Sequence, residues 1–374
     1  MLIDAWDPLY GGGIVHVQEL CKNLILQYNY EIDLYVRSLK NKQGKIFNQN
    51  EVVYNRKLHI YRIGYATNFF NLFGRLSYLM VVFKIIKNHK KKPYDLIHSH
   101  AYFSIIPAKI TSLITHLPLI FTVHGVGLGA WKEMKKGLGS KINYYLEKFL
   151  LTKIKCDHVI TVSSDYLKLP NVNKNITVIP NGVDVAKFDA VSVPKDDKFK
   201  ILFVGRLTAQ KGLTYLIEAI NIIKKKLEKT EVVIVGEGEE KEKILFLIKK
   251  YHLENITKLK NALFGENLIK EYKSSHLFVL PSIYEGQPLT LFEAWAAKLP
   301  VIATDVGDNK KYISEKNGYL IKAKNIETLG HAIIKAYTNN NLKLLGETGY
   351  HLIKKYYSWY NTVEKTRQTY DFAR

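Results

Sequence analysis

Short apolar runs that alternate with amphipathic stretches dominate the chain. Segments such as LPLIFTV, KILFVG and HLFVLPS are short apolar runs, which is typical of strands buried on both faces of a parallel sheet, and IDLYVR also reads as a strand. A turn and then a helical pattern follow most of them. The alternation predicts an α/β protein built from doubly wound, Rossmann-like parallel sheets.

One polar stretch, VSVPKDDKFK from Val191 to Lys200, is the most linker-like part of the chain. Strand and helix patterns repeat on both sides of it, and 374 residues are enough for two domains of ordinary size. We therefore expect an N-terminal domain over residues 1–190 and a C-terminal domain over residues 191–354.

The stretch NFFNLFGRLSYLMVVFKIIKNHKKK predicts one long helix. Its apolar positions recur at three- and four-residue steps, and we expect this stripe to face the core of the first domain: Phe73, Leu76, Leu79, Met80 and Phe83. The helix ends in basic residues that suit the helix dipole, or that form a patch for anionic lipids: Lys87, Lys90, Lys91 and Lys92.

A second basic and aromatic stretch runs from Trp131 to Lys155 on a predicted helix, which fits either an interfacial element or a solvated helix face. The whole chain carries a formal charge of +21, and both halves are basic. This charge suits anionic partners, whether nucleic acid, phospholipid headgroups or phosphorylated substrates. A lysine-rich genome or a hot habitat explains it equally well.

Several classes of protein are disfavoured by composition. Cys21 and Cys156 are far apart and lack partners at ligand spacing, which argues against disulfides and zinc and fits a reducing cytoplasm. The uncharged stretch from Ile110 to Trp131 is broken by Pro118 and glycines, so it reads as one strand and a loop, not a membrane span. The first residues do not show the pattern of a secretory signal peptide. The sequence also lacks the strand motif of aromatic and basic residues that is typical of RNA-binding domains. We expect a cytoplasmic protein that is soluble or bound to a membrane surface and does not bind nucleic acid.

The stretch from Ser282 to Thr304, SIYEGQPLTLFEAWAAKLPVIAT, carries the clearest candidate chemistry. It predicts a loop, a helix with Thr290 placed to cap it, and a strand. Loops at the carboxyl ends of parallel strands line the ligand crevice, so we expect Glu285 at its lip. Glu293 lies among apolar neighbours, where an unpaired carboxylate is costly.

Three other loops carry candidate groups. Arg206 and Lys211 follow the strand KILFVG, where two cations near a helix N-terminus can hold a diphosphate. Three glycines, residues 11–13, precede the first helix and can bring backbone N–H groups to a phosphate. Histidines also end two strands, but no carboxylate or cysteine accompanies them at ligand spacing, so we expect no metal: His98, His100 and His124.

The stretch from Ser282 to Thr304 resembles the glutamate, seven residues, glutamate signature of the retaining glycosyltransferases of family 4. The loops GRLTAQKG, IPNGVD, DLIHSH and TVHG resemble other motifs of this family, so the resemblance covers nearly the whole chain. It implies the GT-B fold, in which two Rossmann-like domains face each other across a cleft. The first domain would bind the acceptor, the second the nucleotide-sugar donor, and a final helix, 355–374, would cross back to the first domain.

The resemblance also implies roles for single residues. Glu285 and His124 would be catalytic, with Glu285 binding sugar hydroxyls, and Asn181 and Ser282 would line the cleft. Glu293 would bind the two ribose hydroxyls, and Leu263 and Phe264 the base. The donor site would comprise Arg206, Lys211, Glu293, Gly12, Gly13, Gly205, Gly236, Gly286, Gln287, Pro288, Leu289, Leu263 and Phe264.

Two positions depart from the family pattern. Gly286, Gln287 and Pro288 stand where the family commonly has glycine, an aromatic residue and glycine, so a backbone N–H is lost and a side-chain amide is gained. A lysine near Lys311 stands where the family has a glutamate. The first departure leaves the donor sugar open.

The resemblance implies a retaining hexosyltransferase that uses a UDP- or GDP-linked sugar and needs no cofactor. The basic first domain favours a lipid-linked or cell-surface glycan acceptor, and it fits a protein that is peripheral at the inner face of the cell membrane. Three alternatives stay open: a soluble acceptor, a catalytically weak binding module at the membrane surface, and a nucleotide-sugar epimerase of the same architecture.

Overall fold

The computed structural model describes residues 1–6, 11–40, 46–47, 50–67, 72–101, 103–126, 128, 138–227 and 229–373. The chain divides into two compact units. Unit 1 comprises Met1–Asn181 and Trp359–Arg374, and unit 2 comprises Gly182–Ser358.

Unit 1 is built on a mostly parallel sheet in the order β4-β5-β2-β1-β6-β7-β8-β9, with β3 paired to β2. Only the pairs β2–β3 and β4–β5 are antiparallel among the described strands. The strands are β1 (Leu2–Ile3), β2 (Ile32–Lys40), β3 (Ile46–Phe47), β4 (Glu51–Val53), β5 (Leu58–Thr67), β6 (Ile97–His100), β7 (Leu119–Val123), β8 (His158–Thr161) and β9 (Ile176–Val178).

Helices cover both faces of this sheet. They are α1 (Gly12–Tyr28), α2 (Leu72–Tyr78), α3 (Val81–Lys91), α4 (Ile105–Thr115) and α5 (Leu138–Thr152). Buried residues of α2, α3, α4 and α5 share one apolar cluster, whereas α1 contributes to a separate cluster. A parallel sheet covered in this way explains the continuous apolar runs of its strands.

Unit 2 has an all-parallel sheet in the order β12-β11-β10-β13-β14-β15. Its strands are β10 (Phe199–Val204), β11 (Thr230–Val235), β12 (Thr257–Lys260), β13 (Leu277–Leu280), β14 (Val301–Thr304) and β15 (Gly318–Ile321). Its helices are α6 (Val185–Asp189), α7 (Leu213–Ile223), α8 (Lys241–Lys250), α9 (Gly265–Ser274), α10 (Leu289–Ala296), α11 (Asn309–Tyr312), α12 (Ile326–Tyr337) and α13 (Leu342–Tyr356).

Local sequence explains where several of these elements begin. Asp184 and Asn325 cap α6 and α12, because each side chain accepts a hydrogen bond from a backbone N–H three residues later. The last helix, α14 (Trp359–Ala373), belongs to unit 1 and packs against α1. The predicted doubly wound α/β architecture is therefore confirmed.

The prediction for the stretch that contains α2 and α3 is wrong in two respects. It is not one long helix, since α2 ends at Tyr78 and α3 begins at Val81, and residues 68–71 lie outside the described part. The predicted core stripe also faces outward: Phe73, Leu76, Met80 and Phe83 are exposed and Leu79 is only half-buried. A second apolar stripe, Tyr78, Val81, Val82 and Ile85, packs into the core instead.

The predicted helix between Trp131 and Lys155 is present as α5 from residue 138 onward. Its first part, residues 131–137, lies outside the described residues. None of the described helices is long and apolar enough to cross a lipid bilayer.

Candidate functional site

The strand order of unit 2 places a switch point between β10 and β13. From β10 the chain proceeds outward through β11 and β12, and it then returns to the other side of β10 for β13, β14 and β15. In open α/β sheets, ligands bind beyond the carboxyl ends of the strands at such a point. The loops that leave β10 and β13 there are those that contain Lys211 and Glu285.

A buried charge pair joins these two loops. Lys211 Nζ donates a hydrogen bond to Glu285 Oε1 over 2.5 Å, and Ser282 Oγ donates to the same oxygen over 2.6 Å. The side chains of Lys211 and Glu285 are only 13% and 6% exposed. Glu285 Oε2 accepts no hydrogen bond within the described part of the chain, so it can accept one from a bound hydroxyl.

The close approach of the loops depends on backbone geometry. Gly212 has φ of +64°, and a side chain at this position would lie 2.1 Å from the carbonyl oxygen of Pro281. The N–H of Ile283 also donates to the carbonyl of Gln210 over 2.8 Å. The two loops, 74 residues apart in sequence, therefore meet because a glycine allows their backbones to touch.

A third loop contacts the backbone of Glu285 and Gly286. Gly307, after β14, has φ of +55°, and a side chain there would lie 2.1 Å from the carbonyl oxygen of Glu285. The Asp308 N–H donates to the carbonyl of Gly286. Sequence reasoning missed this contact, although a glycine after a strand exit was the available signal.

Glu293 lies in α10, where it is half-buried. Tyr272 OH donates a hydrogen bond to Glu293 Oε2 over 2.9 Å, and burial raises the pKa of Glu293. Sequence reasoning missed Tyr272, because the two residues are 21 positions apart on different helices. Among the described residues, none donates a hydrogen bond to Glu293 Oε1, so this oxygen can accept one from a ligand.

Thr290 does not cap α10, contrary to the prediction. The residue before the helix is Pro288, with no side-chain capping bond, and Thr290 is already the second helical residue. Its hydroxyl oxygen is buried and has no hydrogen-bond partner among the described residues.

The other predicted donor residues occupy loops around the same edge. Gly205 and the exposed Arg206 follow β10, and the buried Gly236 follows β11 next to it. In the loop before α10, Gly286 and Leu289 are half-buried, whereas Gln287 and Pro288 are buried. Leu263 and the exposed Phe264 follow β12, which β11 separates from β10. The structure thus joins Ser282, Glu285 and Lys211 directly, and it places Leu263 and Phe264, the pair predicted to bind the base, two strands away.

Unit 1 has an equivalent switch point between β1 and β6. The chain leaves β1 toward α1, which begins at Gly12, and His100 is the last residue of β6. His124 follows β7, and a side chain at Gly13 would begin 3.4 Å from its ring. The predicted glycine loop and the predicted catalytic histidine therefore meet at the carboxyl edge of this sheet.

Four histidines, which we call the histidine cluster, lie together there: His16, His98, His100 and His124. The rings of His16 and His124 are 4.8 Å apart, and His100 Nδ1 lies 3.3 Å from His124 Nε2. His98 lies 4.0 Å from His100, ring to ring. Sequence reasoning missed His16, although it stands one turn after Gly12 on α1.

Residues distant in sequence complete the surroundings of the cluster. His16 Nδ1 is 2.7 Å from Oδ1 of the buried Asn181, and His98 Nδ1 is 2.7 Å from Tyr370 OH. The ring of Trp359 packs edge-on against His16. Tyr370 and Trp359 belong to α14, so the C-terminal helix supplies side chains to this edge of unit 1.

Burial keeps the histidine cluster uncharged. It lowers the pKa of His16 to about 4 and the pKa values of His98, His100 and His124 well below the ordinary 6.5. The imidazoles are therefore neutral at pH 7 and can donate or accept hydrogen bonds. Nowhere in the described chain do three or more His, Cys, Asp or Glu side chains form a group that could hold a metal ion.

The chain matches two family models. Residues 10–187 match the family described as Glycosyltransferase Family 4, and residues 184–351 match the family described as Glycosyl transferases group 1. Together these matches cover nearly the whole chain.

Curated relatives agree with these matches. The chain is 30% identical over 379 residues to an uncharacterized glycosyltransferase of Methanocaldococcus jannaschii, covering 99% of this chain and 97% of the relative. It is 29% identical over 321 residues, 80% of each protein, to the UDP-Gal:alpha-D-GlcNAc-diphosphoundecaprenol alpha-1,3-galactosyltransferase of Escherichia coli.

Solved structures share the fold. Sucrose-phosphate synthase from Thermosynechococcus elongatus has a TM-score of 0.82 at 20% identity, covering 99% of this chain and 97% of that one. Anabaena HepE in complex with UDP-glucose has a TM-score of 0.74 at 17% identity, covering 98% and 97%. The chain therefore belongs to glycosyltransferase family 4, is a glycosyltransferase, and has the GT-B fold.

Proposed function

We propose that this glycosyltransferase moves a hexose from a UDP- or GDP-linked sugar to a lipid-linked or cell-surface glycan, with retention of the anomeric configuration. The observation that carries the proposal is the group formed by Lys211, Glu285 and Ser282 at the switch point of unit 2. It combines a cation for a diphosphate with a carboxylate for sugar hydroxyls, in the place where a parallel sheet binds ligands.

Departure of a nucleoside diphosphate requires stabilisation of negative charge. In the proposal, Lys211 and Arg206 supply it, the first as a point charge and the second as a planar fork. Backbone N–H groups of the loops after β10 and before α10 add to it. These groups together take the place of a metal ion or other cofactor, so none is required.

The two glutamates bind different parts of the donor. Glu285 accepts hydrogen bonds from sugar hydroxyls through Oε2, while Lys211 and Ser282 hold Oε1. Glu293 accepts from the ribose hydroxyls, with Tyr272 fixing its orientation. Phe264, half exposed after β12, offers a ring on which a base can stack. The remaining predicted residues, including His124 and Asn181 in unit 1, keep their proposed roles in catalysis and substrate binding.

The acceptor and location follow from a relative and from charge. The Escherichia coli relative is named for a diphosphoundecaprenol-linked acceptor, which is a lipid-linked glycan. The basic first unit suits the anionic surface that surrounds such an acceptor. We propose that the protein is cytoplasmic and peripheral at the inner face of the cell membrane.

A donor-by-acceptor screen tests the proposal. Purified protein is incubated with UDP-galactose, UDP-glucose, UDP-N-acetylglucosamine or GDP-mannose, each with a polyprenyl-diphosphate sugar or a free oligosaccharide, and products are read by mass spectrometry. We expect free nucleoside diphosphate and a glycosylated lipid-linked acceptor, and NMR of the new bond reports its anomeric configuration. Transfer only to free oligosaccharide supports a soluble acceptor, and a changed nucleotide sugar without transfer supports an epimerase.

The competing function is a catalytically weak module that binds the membrane surface. Its support is the same basic charge, which attracts an anionic surface whether or not the protein catalyses a reaction. Absence of turnover with every donor, together with binding to anionic vesicles, would favour it over the enzyme.

A further inference from the structure

Helices α2, α3, α4 and α5 form one layer on a single face of the unit 1 sheet, and we call them the helical layer. Buried residues of all four belong to the same core cluster, among them Tyr78, Ile85, Ala108 and Leu150. Helix α3 also packs directly against α4. The sides of these helices that face away from the sheet therefore lie on the same side of unit 1, and together they are the outer surface of the layer.

This outer surface is rich in large apolar side chains. On α4 they recur at three- and four-residue steps, and on α5 at the same spacing, so each helix has a second apolar stripe opposite its buried one. Phe83 is 76% exposed, Tyr145 67% and Leu113 63%. The set comprises Phe73, Leu76, Met80, Phe83, Ile110, Leu113, Ile114, Ile142, Tyr145, Leu146 and Phe149.

The charges on the helical layer have one sign. Residues 72–91 and 105–115 contain no Asp or Glu, and Glu147, the single acid in residues 138–152, is 2% exposed. Arg75 is half-buried, and the lysines are exposed or half-buried at the helix ends and between the apolar residues: Lys84, Lys87, Lys90, Lys91, Lys109, Lys141 and Lys148. A partner must therefore supply both apolar depth and negative charge.

Unit 2 shows that an exposed apolar surface without exposed acids is not a general property of the chain. Its exposed apolar residues lie beside exposed acids, as with Phe246 and Glu242 on α8. Isolated apolar residues on a surface are normal, whereas a contiguous patch marks an interaction site.

We propose that the outer surface of the helical layer binds an anionic lipid bilayer, with the aromatic and aliphatic side chains at the level of the headgroups and acyl boundary and the lysines against phosphates. The inference rests on the proposed lipid-linked acceptor and names the surface that brings the enzyme to it. A bilayer supplies apolar depth and negative charge over any area without shape complementarity, which suits a surface spread over four helices.

Flotation in a density gradient tests the proposal. The probes are vesicles of phosphatidylcholine alone and of equal parts phosphatidylcholine and phosphatidylglycerol, at physiological salt. We expect the protein to float with the second kind and not with the first. The triple variant Lys87→Gln, Lys90→Gln, Lys91→Gln should bind the anionic vesicles about 100-fold more weakly. This fold-change corresponds to the sum of the binding free energies that three lysines ordinarily contribute at an anionic surface.

A matched control separates this surface from the charge of the whole protein. The variant Lys225→Gln, Lys226→Gln, Lys249→Gln removes the same charge from exposed positions of unit 2 and should bind within threefold of the wild type. The pair Phe83→Ser, Leu113→Ser should weaken binding about tenfold, and the pair Ile222→Ser, Phe246→Ser should not. Far-UV circular dichroism checks that every variant is folded.

Two outcomes would overturn the proposal. Failure of the wild type to float with anionic vesicles would leave an acidic protein as the partner of this surface. Equal losses in the unit 1 variants and their unit 2 controls would show binding by net charge alone. Transfer to a short-chain, water-soluble acceptor tests the proposed function separately, because it needs no membrane: a protein that transfers but does not float retains the function and loses this inference.

Discussion

At the carboxyl edge of its sheet, unit 1 gathers four histidines, three buried and one half-buried, that are neutral at pH 7, whereas unit 2 places a lysine, a glutamate and a serine in direct contact. Both groups lie at the switch point of a doubly wound sheet. The same architecture thus presents hydrogen-bonding groups without charge in one unit and a charge pair in the other.

This difference indicates a division of labour. A diphosphate needs cations, and unit 2 offers Lys211 and Arg206 at its switch point. Neutral imidazoles suit hydroxyl groups, since each can donate from one nitrogen and accept at the other. We therefore expect loss of charge to dominate the effects of changes in unit 2, and gain of charge to dominate those in unit 1.

The largest effect is expected for Lys211→Ala. It removes a cation from the proposed diphosphate site and leaves the Glu285 carboxylate without its ion-pair partner. We expect kcat/KM for sugar transfer to fall about 1000-fold. Lys243→Ala, an exposed lysine of α8, is the matched control and should retain normal turnover. Near-normal turnover of Lys211→Ala combined with Arg206→Ala would show that other groups hold the diphosphate.

The next effect concerns acid stability of unit 1. His16 takes up a proton near pH 6.5 when unfolded but only near pH 4 when folded, so the free energy of unfolding falls as the pH drops between these values. For His16 alone the loss by pH 4 is about 3 kcal/mol.

Chemical denaturation at several pH values, followed by tryptophan fluorescence, measures this loss. His16→Gln should unfold with a weaker pH dependence than the wild type, and His331→Gln, an exposed histidine of unit 2, should not change it. An acid dependence that is unaltered in His16→Gln would contradict the buried neutral state.

A smaller effect is expected for Glu293→Ala, which should weaken binding of UDP or of the cognate nucleoside diphosphate about 30-fold, because two hydrogen bonds to a carboxylate are lost. Isothermal titration calorimetry measures it. Burial raises the pKa of Glu293, so affinity in the wild type should also fall as the carboxylate protonates at acidic pH. Unchanged affinity in the variant would rule out the ribose role.

Ser282→Ala should lower kcat/KM about tenfold, because Glu285 loses one charge-assisted hydrogen bond that fixes its position. Ser314→Ala, at an exposed serine of the same unit, serves as the control. Rescue by Ser282→Thr, which keeps the hydroxyl, would identify positioning as the cause, and a full rate in Ser282→Ala would exclude it.

The smallest effect is expected for metal removal. If cations of the chain neutralise the diphosphate, EDTA should change the transfer rate less than twofold. Loss of activity that a divalent ion restores would contradict this account and would lessen the contrast between the two units.

Much of the site could be predicted from sequence because it lies in loops with local signals. Glu285, Lys211 and the glycines follow apolar strand runs, and parallel strands bring their exits to one edge. The partners of these residues could not be predicted in this way. Tyr272 reaches Glu293 and Asn181 reaches His16 through packing of elements that the sequence separates by 21 and 165 positions.

The orientation of α3 shows a different limit of prediction from sequence, namely which face of a helix is buried. Periodicity identifies residues that share a face of a helix, but α3 has apolar residues on two faces, and either could meet the sheet. The sequence alone determined the α/β class, the family and the loops that carry the chemistry, since these depend on local patterns. Only the tertiary structure decided that Val81 and Ile85 are buried while Phe83 is exposed, because that choice depends on which face fits the neighbouring strands and helices.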